Sequence, residues 1–222
     1  MELDIIFLSV RVALLNTLFT LPVSLWLGWV LARKDFTGKS ILETLIFLPL
    51  VTPPIVTGYL LLIVFGKNGI IGQYLYQWFN IKLVFNFSAL VLASVIVSLP
   101  LAVRSMKSAF ARIDPEYEKV ALTLGATRFC IFFKIIMPLS FPGLMNGMVL
   151  SFARSLGEFG ATITLAGNIP GKTQTIAMVI YTNMQIPGKE FQVIRFVVIS
   201  LLLSFITLLL SEYLQKKRGN LF

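Results

Sequence analysis

The chain has no histidine and a single cysteine, Cys130, in 222 residues. Without histidine there is no imidazole for a Ser-His-Asp relay, no HExxH metalloprotease motif and no histidine proton shuttle. One thiol makes neither a disulfide framework nor a zinc site, so Cys130 reads as an apolar filler. Charge is sparse as well: 13% of residues are charged, 10 acidic against 19 basic, for a formal net charge of +9. The basic residues are scattered between apolar runs rather than gathered in a stripe with stacking aromatics, which argues against nucleic acid as a partner. Nor does the N-terminus, MELDIIFLSV, carry the basic region of a cleavable signal. Its acidic residues and the length of the first apolar run mark a retained span.

What the chain has instead is apolar length. With 57% hydrophobic residues and a mean hydropathy of +0.86 it is an all-α integral membrane protein surrounded by lipid, read here as one transmembrane domain over residues 1–222. A spanning helix takes about 20 mostly apolar residues, and five stretches reach or approach that: about 5–32, 41–65, 84–103, 135–156 and 196–214. The stretch 157–187 is interrupted by glycines, Pro170 and polar residues. It reads as a short or re-entrant outer segment, a sixth crossing being the alternative. Twelve Lys and Arg lie in the first loop (Arg33, Lys34, Lys39), the third loop (Arg104, Lys107, Arg112, Lys119, Arg128, Lys134) and the tail (Lys216, Lys217, Arg218), against five on the other side. The positive-inside rule then puts the third loop and the C-terminus in the cytoplasm and the N-terminus outside. Tyr74, Tyr76, Trp78 and Tyr181 read either as outer interfacial anchors or as packed aromatics.

The third loop, 105–134, contains the best-punctuated helix of the chain. Asp114 suits an N-cap, Pro115 the first helical position, Glu116 and Glu118 the positive end of the dipole, and Gly125 the C-terminal stop. Tyr117, Val120, Ala121 and Leu124 recur at i, i+3, i+4 and i+7 and share a face. That face either packs on the protein's own spans or is offered to a partner.

Two further stretches break their helices. Pro49, Pro53 and Pro54 interrupt the second span, which bends either to shape a translocation path or to improve packing. After Gly143, Gly147 and Ser151, whose spacing marks a close helix contact within the subunit or across a dimer, comes ARSLGEFGATITLAGNIPGKT. Arg154 and Glu158 stand four apart and can pair, while Gly157 and Gly160 loosen the helix beside them, so the segment is a structural ion pair or a gate. GNIPGKT is not a P-loop: it has three residues between its glycines, contains Pro170 and lacks a βαβ setting. No nucleotide site, cofactor or metal is expected on this chain, which is not read as an enzyme.

The segment of residues 114–138 resembles the cytoplasmic coupling loop of ABC importer permeases, whose pattern is Glu-Ala-Ala, three residues, Gly, nine residues, Ile, one residue, Leu-Pro. Gly125, Ile135 and Pro138 stand at that spacing, while Lys119, Val120 and Ala121 replace Glu-Ala-Ala and Met137 replaces Leu. Glu116 and Glu118 both remain candidates for the polar contact to the partner. Together with LPLVTPPIVTGYLLL (48–62) and FARSLGEFGATITLAGNIPGKTQTI (152–176), the whole chain looks like the permease subunit of bacterial molybdate importers, with tungstate and sulfate permeases as related alternatives.

That resemblance implies a type I importer architecture in the bacterial inner membrane, with the permease a homodimer on two cytoplasmic ATPase subunits that carry the ATP and Mg. An outer molybdate-binding protein would deliver the cargo. It implies that Asp114, Glu116, Glu118, Ala121, Leu124 and Gly125 couple to the ATPase, and that the stretch 154–168 lines or closes the outer gate. For the oxyanion cargo so implied, weak contacts suit release, and the hydroxyls of Thr162 and Thr164 are candidates. The end at QKKRGNLF leads us to expect no regulatory domain on this chain. Competing classes are an ion-coupled carrier using Glu158 or Glu43, and a Ser-Lys peptidase.

Overall fold

The structure, a computed structural model, describes residues 2–219 and the side chains of these except Ser211 and 214–219. The tail residues Lys216, Lys217 and Arg218 therefore lie outside the described side chains. Every regular element among the described residues is helical.

Three long helices form the core: α1 (Glu2–Arg33), α5 (Phe87–Ala111) and α8 (Met137–Leu156). Small residues set their spacing. A Cβ built on Gly143 would lie 2.2 Å from the Ala109 Cβ, and Ser105 donates to the Gly143 carbonyl at 2.9 Å. The stripe of Gly143, Gly147 and Ser151 is thus spent on α5 inside the subunit, not on a dimer contact. Midway along α1, Asn16 donates to the carbonyl and the hydroxyl of Ser151, both at 3.0 Å. Its own oxygen accepts from Ser98 at 2.8 Å and Thr20 at 3.3 Å. All four residues are buried and mutually satisfied, which is the condition for polar groups inside a membrane bundle.

Four helices are long and apolar enough to cross a bilayer: Glu2–Arg33, Phe87–Ala111, Arg128–Leu156 and Glu190–Leu210. The expected second span is instead two helices, α2 (Lys39–Val51) and α3 (Pro54–Phe65), with axes bent by 119° at Thr52 and Pro53. α2 packs near Leu31 and Val103, whereas Leu61 of α3 joins a cluster with Ala89, Leu90 and Ala93. The two helices therefore pack on different parts of α5, and a bent pair stands where one straight span was expected. Proline explains the break: Pro53 offers no N–H to continue α2, and Pro54 opens α3 at its first position.

In the loop before α2, Lys39 donates to Asp35 at 2.8 Å, and that bond holds the Asp35 carboxyl below the usual carboxylate range. Beyond α3, a short helix α4 (Gly72–Phe79) carries Tyr74 and Trp78, half-exposed and exposed, with rings edge-on at 6.0 Å.

The third expected span, 84–103, runs on to Ala111, and the fourth begins at Arg128 instead of 135. What remains between them is α6 (Pro115–Thr123) with its two turns. α7 (Arg128–Ile131) joins α8 through one π-helical turn, Phe132–Ile136, closed by the Met137 N–H on the Phe132 carbonyl. Pro138 supplies a reason, because without an N–H it leaves the Lys134 carbonyl no i+4 donor and the register widens by one.

At the opposite end, α9 (Gly160–Ala166) and α10 (Ile176–Asn183) occupy the expected outer segment. At about 1.5 Å per residue each covers roughly 10–12 Å, too little for a sixth crossing. α11 (Glu190–Gly219) starts beside the start of α1, where Arg195 and Glu2 pair at 2.8 Å.

Candidate functional site

The short helix α6 is built as its sequence demands. The Asp114 carboxylate accepts from the Glu116 N–H at 2.9 Å, and Pro115 opens the helix. Gly125, at φ +83, closes it: Gly125 donates to the Leu122 carbonyl and Ala126 to the Ala121 carbonyl, both at 3.0 Å. This is the paired C-terminal bond set that needs a left-handed residue, and glycine adopts it without strain.

Only one member of the expected apolar face turns inward. Ala121 is 7% exposed and packs with Phe110, Ile113 and Ile131, while Tyr117 and Val120 are each 57% exposed and Leu124 is 82% exposed. Most of the apolar face is thus not packed on the subunit's own spans.

The two acidic candidates separate. Glu118, half-buried, stands 3.5 Å from the Arg33 guanidinium, which also donates to the Ile113 carbonyl at 2.7 Å. It ties α6 to the end of α1. Glu116 is exposed on the outward side. Arg33 is therefore a positioning residue that sequence reasoning placed only as a topogenic charge.

The two helix breaks meet each other. A Cβ on Gly160, at the start of α9, would lie 2.8 Å from the Pro54 Cβ, and one on Gly58 would lie 2.8 Å from the Ala161 backbone. α3 and α9 therefore lie backbone against backbone, and the proline break and the glycine break are one structural feature. Pro53 stays exposed beside it, as does Gly157.

Glu158 is the buried acid of this junction, 2% exposed. One carboxylate oxygen accepts from the Ala161 N–H at 2.8 Å, and the other stands 2.8 Å from Arg154 Nη1 as an ion pair without a straight hydrogen bond. One side chain thus caps α9 and holds the end of α8, bridging the break between them. Thr162 and Thr164 differ from expectation. Thr162 donates to the Phe159 carbonyl at 3.0 Å and Thr164 to the Gly160 carbonyl at 2.8 Å, so neither hydroxyl proton is left for an anion. A threonine inside a short helix after a break readily closes such a local bond.

The Asn16 network was missed on the sequence, although an asparagine in the middle of an apolar span was signal enough. Among the described residues no group of three His, Cys, Asp or Glu is placed to hold a metal ion.

Comparison with known proteins gives one answer at two levels. The model of the family described as binding-protein-dependent transport system inner membrane component matches residues 24–220. The molybdenum transport system permease protein ModB of Haemophilus influenzae is 50% identical over 217 residues, covering 98% of this chain and 95% of that protein. The Escherichia coli K12 protein of the same name is 47% identical, over 97% and 94%. The sulfate transport system permease protein CysT of Salmonella typhimurium is 39% identical over 78% of this chain and 62% of its own length.

Among solved structures, a bacterial ABC transporter involved in alginate import superposes with a TM-score of 0.75 over 97% of this chain and 79% of that one, at 15% identity. The inward-facing MetNI methionine ABC transporter gives 0.75 over 95% and 93%, at 14% identity. At these identities the likeness is one of fold, the ABC importer permease fold expected from the sequence.

Proposed function

The chain belongs to the inner-membrane component family of binding-protein-dependent transport systems, and on that premise we propose that it is the molybdate-conducting permease subunit of an ATP-driven importer. The observation that carries the cargo is identity of 50% along almost its whole length to a molybdenum permease. The sulfate permease relative matches a smaller share of the chain at lower identity, which makes sulfate the weaker reading. Two copies of the chain enclose the path, and two ATPase subunits dock on α6 through Glu116, Tyr117, Val120 and Leu124. A separate protein delivers the oxyanion at the α9–α10 end. ATP and Mg belong to the ATPase subunits, and the excess of basic residues around α6 supports a cytoplasmic position for it.

In this assembly the binding of ATP favours one arrangement of the permease only through contacts that differ between the two arrangements. α6 is suited to carry that difference. It is short, rigidly capped at both ends, and joined to α1 by Arg33 and to α8 through the π-helical turn.

The test is uptake of labelled molybdate into vesicles holding this chain, with and without its ATPase and binding protein, and with sulfate in excess. Uptake that needs ATP and both partners and resists sulfate supports the reading. Uptake by the chain alone overturns it in favour of an ion-coupled carrier, and competition by sulfate overturns the cargo.

A further inference from the structure

α5 is covered along its outer half and opens only at the coupling end. Between Phe87 and Ala111 the exposed residues are Arg104, Ser108 and Ala111, which fall at i, i+4 and i+7 and so form one stripe. Arg112 continues it past the helix end and is also exposed. Ser108 lies in both hollows that flank the stripe, one walled by Phe47, Leu50 and Val51 of α2, the other by Pro142 and Asn146 of α8.

The two arginines have no acidic partner among the described residues. The nearby carboxylates are already engaged, Glu43 with Lys107 and Asp114 with the first turn of α6.

Depth makes this unusual. Ser98 belongs to the polar network and lies next to the middle of α5, and Arg104 lies six residues further on, about 9 Å along the axis at 1.5 Å per residue. On a span centred there, a hydrocarbon half-thickness of about 15 Å takes in Arg104. An unpaired arginine facing lipid there costs about 2.5 kcal/mol or more, and such residues face water-filled cavities instead.

We propose that Arg104, Ser108 and Arg112 line the aqueous path at the coupling end of α5 and form two successive weak sites for a divalent tetrahedral oxyanion. The direction of travel and the cargo rest on the importer reading above. Arg104 and Arg112 are about 12 Å apart along the helix, too far to cage one ion closely, and a series of weak sites is what permits release. Uncovered arginines in a low-dielectric cleft raise the local anion concentration without any rigid cradle.

The experiment uses the permease with its ATPase subunit in lipid nanodiscs, in a Cys130→Ser background, with Ser108→Cys as the reporter. Its labelling rate is measured with an anionic and with a cationic water-soluble methanethiosulfonate. The expected result is reaction with both, an anionic-to-cationic rate ratio that falls about tenfold when Arg104→Gln and Arg112→Gln are added, and a ratio retained in Arg104→Lys with Arg112→Lys. Millimolar molybdate slows labelling only while the charges are present.

A reporter inert to both reagents, or a ratio indifferent to the two charges, overturns the site. None of these readouts requires transport. Charge-dependent labelling in a complex that imports no molybdate would therefore keep the anion site and remove only the cargo assignment.

Discussion

Replacing Leu124 with alanine separates a surface made for a partner from one that merely happens to be exposed. Leu124 is 82% exposed at the end of α6, beside Tyr117 and Val120, so its side chain contributes almost nothing to the isolated subunit. Leu124→Ala should then leave the stability of the permease within about 0.5 kcal/mol of the parent, as for surface changes away from special features. In the docked complex the same side chain has a full burial to gain. That is worth about 2 kcal/mol for a leucine, or roughly thirtyfold in affinity at 1.4 kcal/mol per tenfold. The assay is paired: the unfolding midpoint of the purified permease, and the dissociation constant for its ATPase subunit in nanodiscs. An unchanged midpoint with an affinity lowered by ten- to a hundredfold supports docking through this face. A lowered midpoint with unchanged affinity would refute it, since the leucine would then pack against its own subunit.

Further substitutions test other contacts. Glu116→Gln should reduce ATP-coupled uptake and spare stability, whereas Glu118→Gln should loosen α6 by about 0.5–1 kcal/mol, the discounted worth of a half-exposed pair with Arg33, read by the unfolding midpoint. Gly160→Ala places a Cβ 2.8 Å from Pro54, and the overpacking should cost about 1–3 kcal/mol in denaturant unfolding and slow uptake. At the buried junction Glu158→Ala should cost about 3 kcal/mol by stranding Arg154 and uncapping α9, and Glu158→Gln less, because an amide oxygen still accepts from Ala161. Exchanging Arg154 and Glu158 should fail to restore stability, since arginine accepts no hydrogen bond; full rescue would show that pairing alone matters.

The parts legible in the sequence are those whose cause is local. The cap at Asp114, the proline start and the glycine stop of α6 each depend on a few neighbouring residues, and each appears where its residues stand. The long apolar spans were legible for the same reason, because thickness and composition decide them. What the sequence left open depends on which surfaces meet.

Glu116 and Glu118 are both compatible with their helix, and only the position of Arg33, 85 residues before Glu118 in the chain, draws one inward and leaves the other out. The stripe of Gly143, Gly147 and Ser151 suits any close helix, and the choice of α5 over a second subunit rests on Ala109 and Ser98 being opposite. Thr162 and Thr164, candidate anion contacts by their chemistry, donate to carbonyls of their own short helix, which no residue pattern announces.

α1, α5 and α8 are locked by the Asn16 network and by glycine contacts that leave no room for sliding. α3 and α9 form a second pair, equally close, whose Leu61, Ala161 and Leu165 share one buried cluster with Ala89, Leu90 and Ala93 of α5, and each follows a break in the chain: Thr52 and Pro53 on one side, Gly157 to Phe159 on the other. Glu158 with Arg154 is the polar link described across the second break, and the hydroxyls of Thr52 and Thr57, 3.0 Å apart, link the first. Motion of α3 and α9 as one unit therefore turns about these two breaks and has to shift that shared cluster, with α6 tied to the three long helices through Arg33 and the π-helical turn. Stiffening the first break should accordingly slow uptake without weakening ATPase docking, the reverse of Leu124→Ala. If both perturbations lowered docking alike, the two units would have to move as one body.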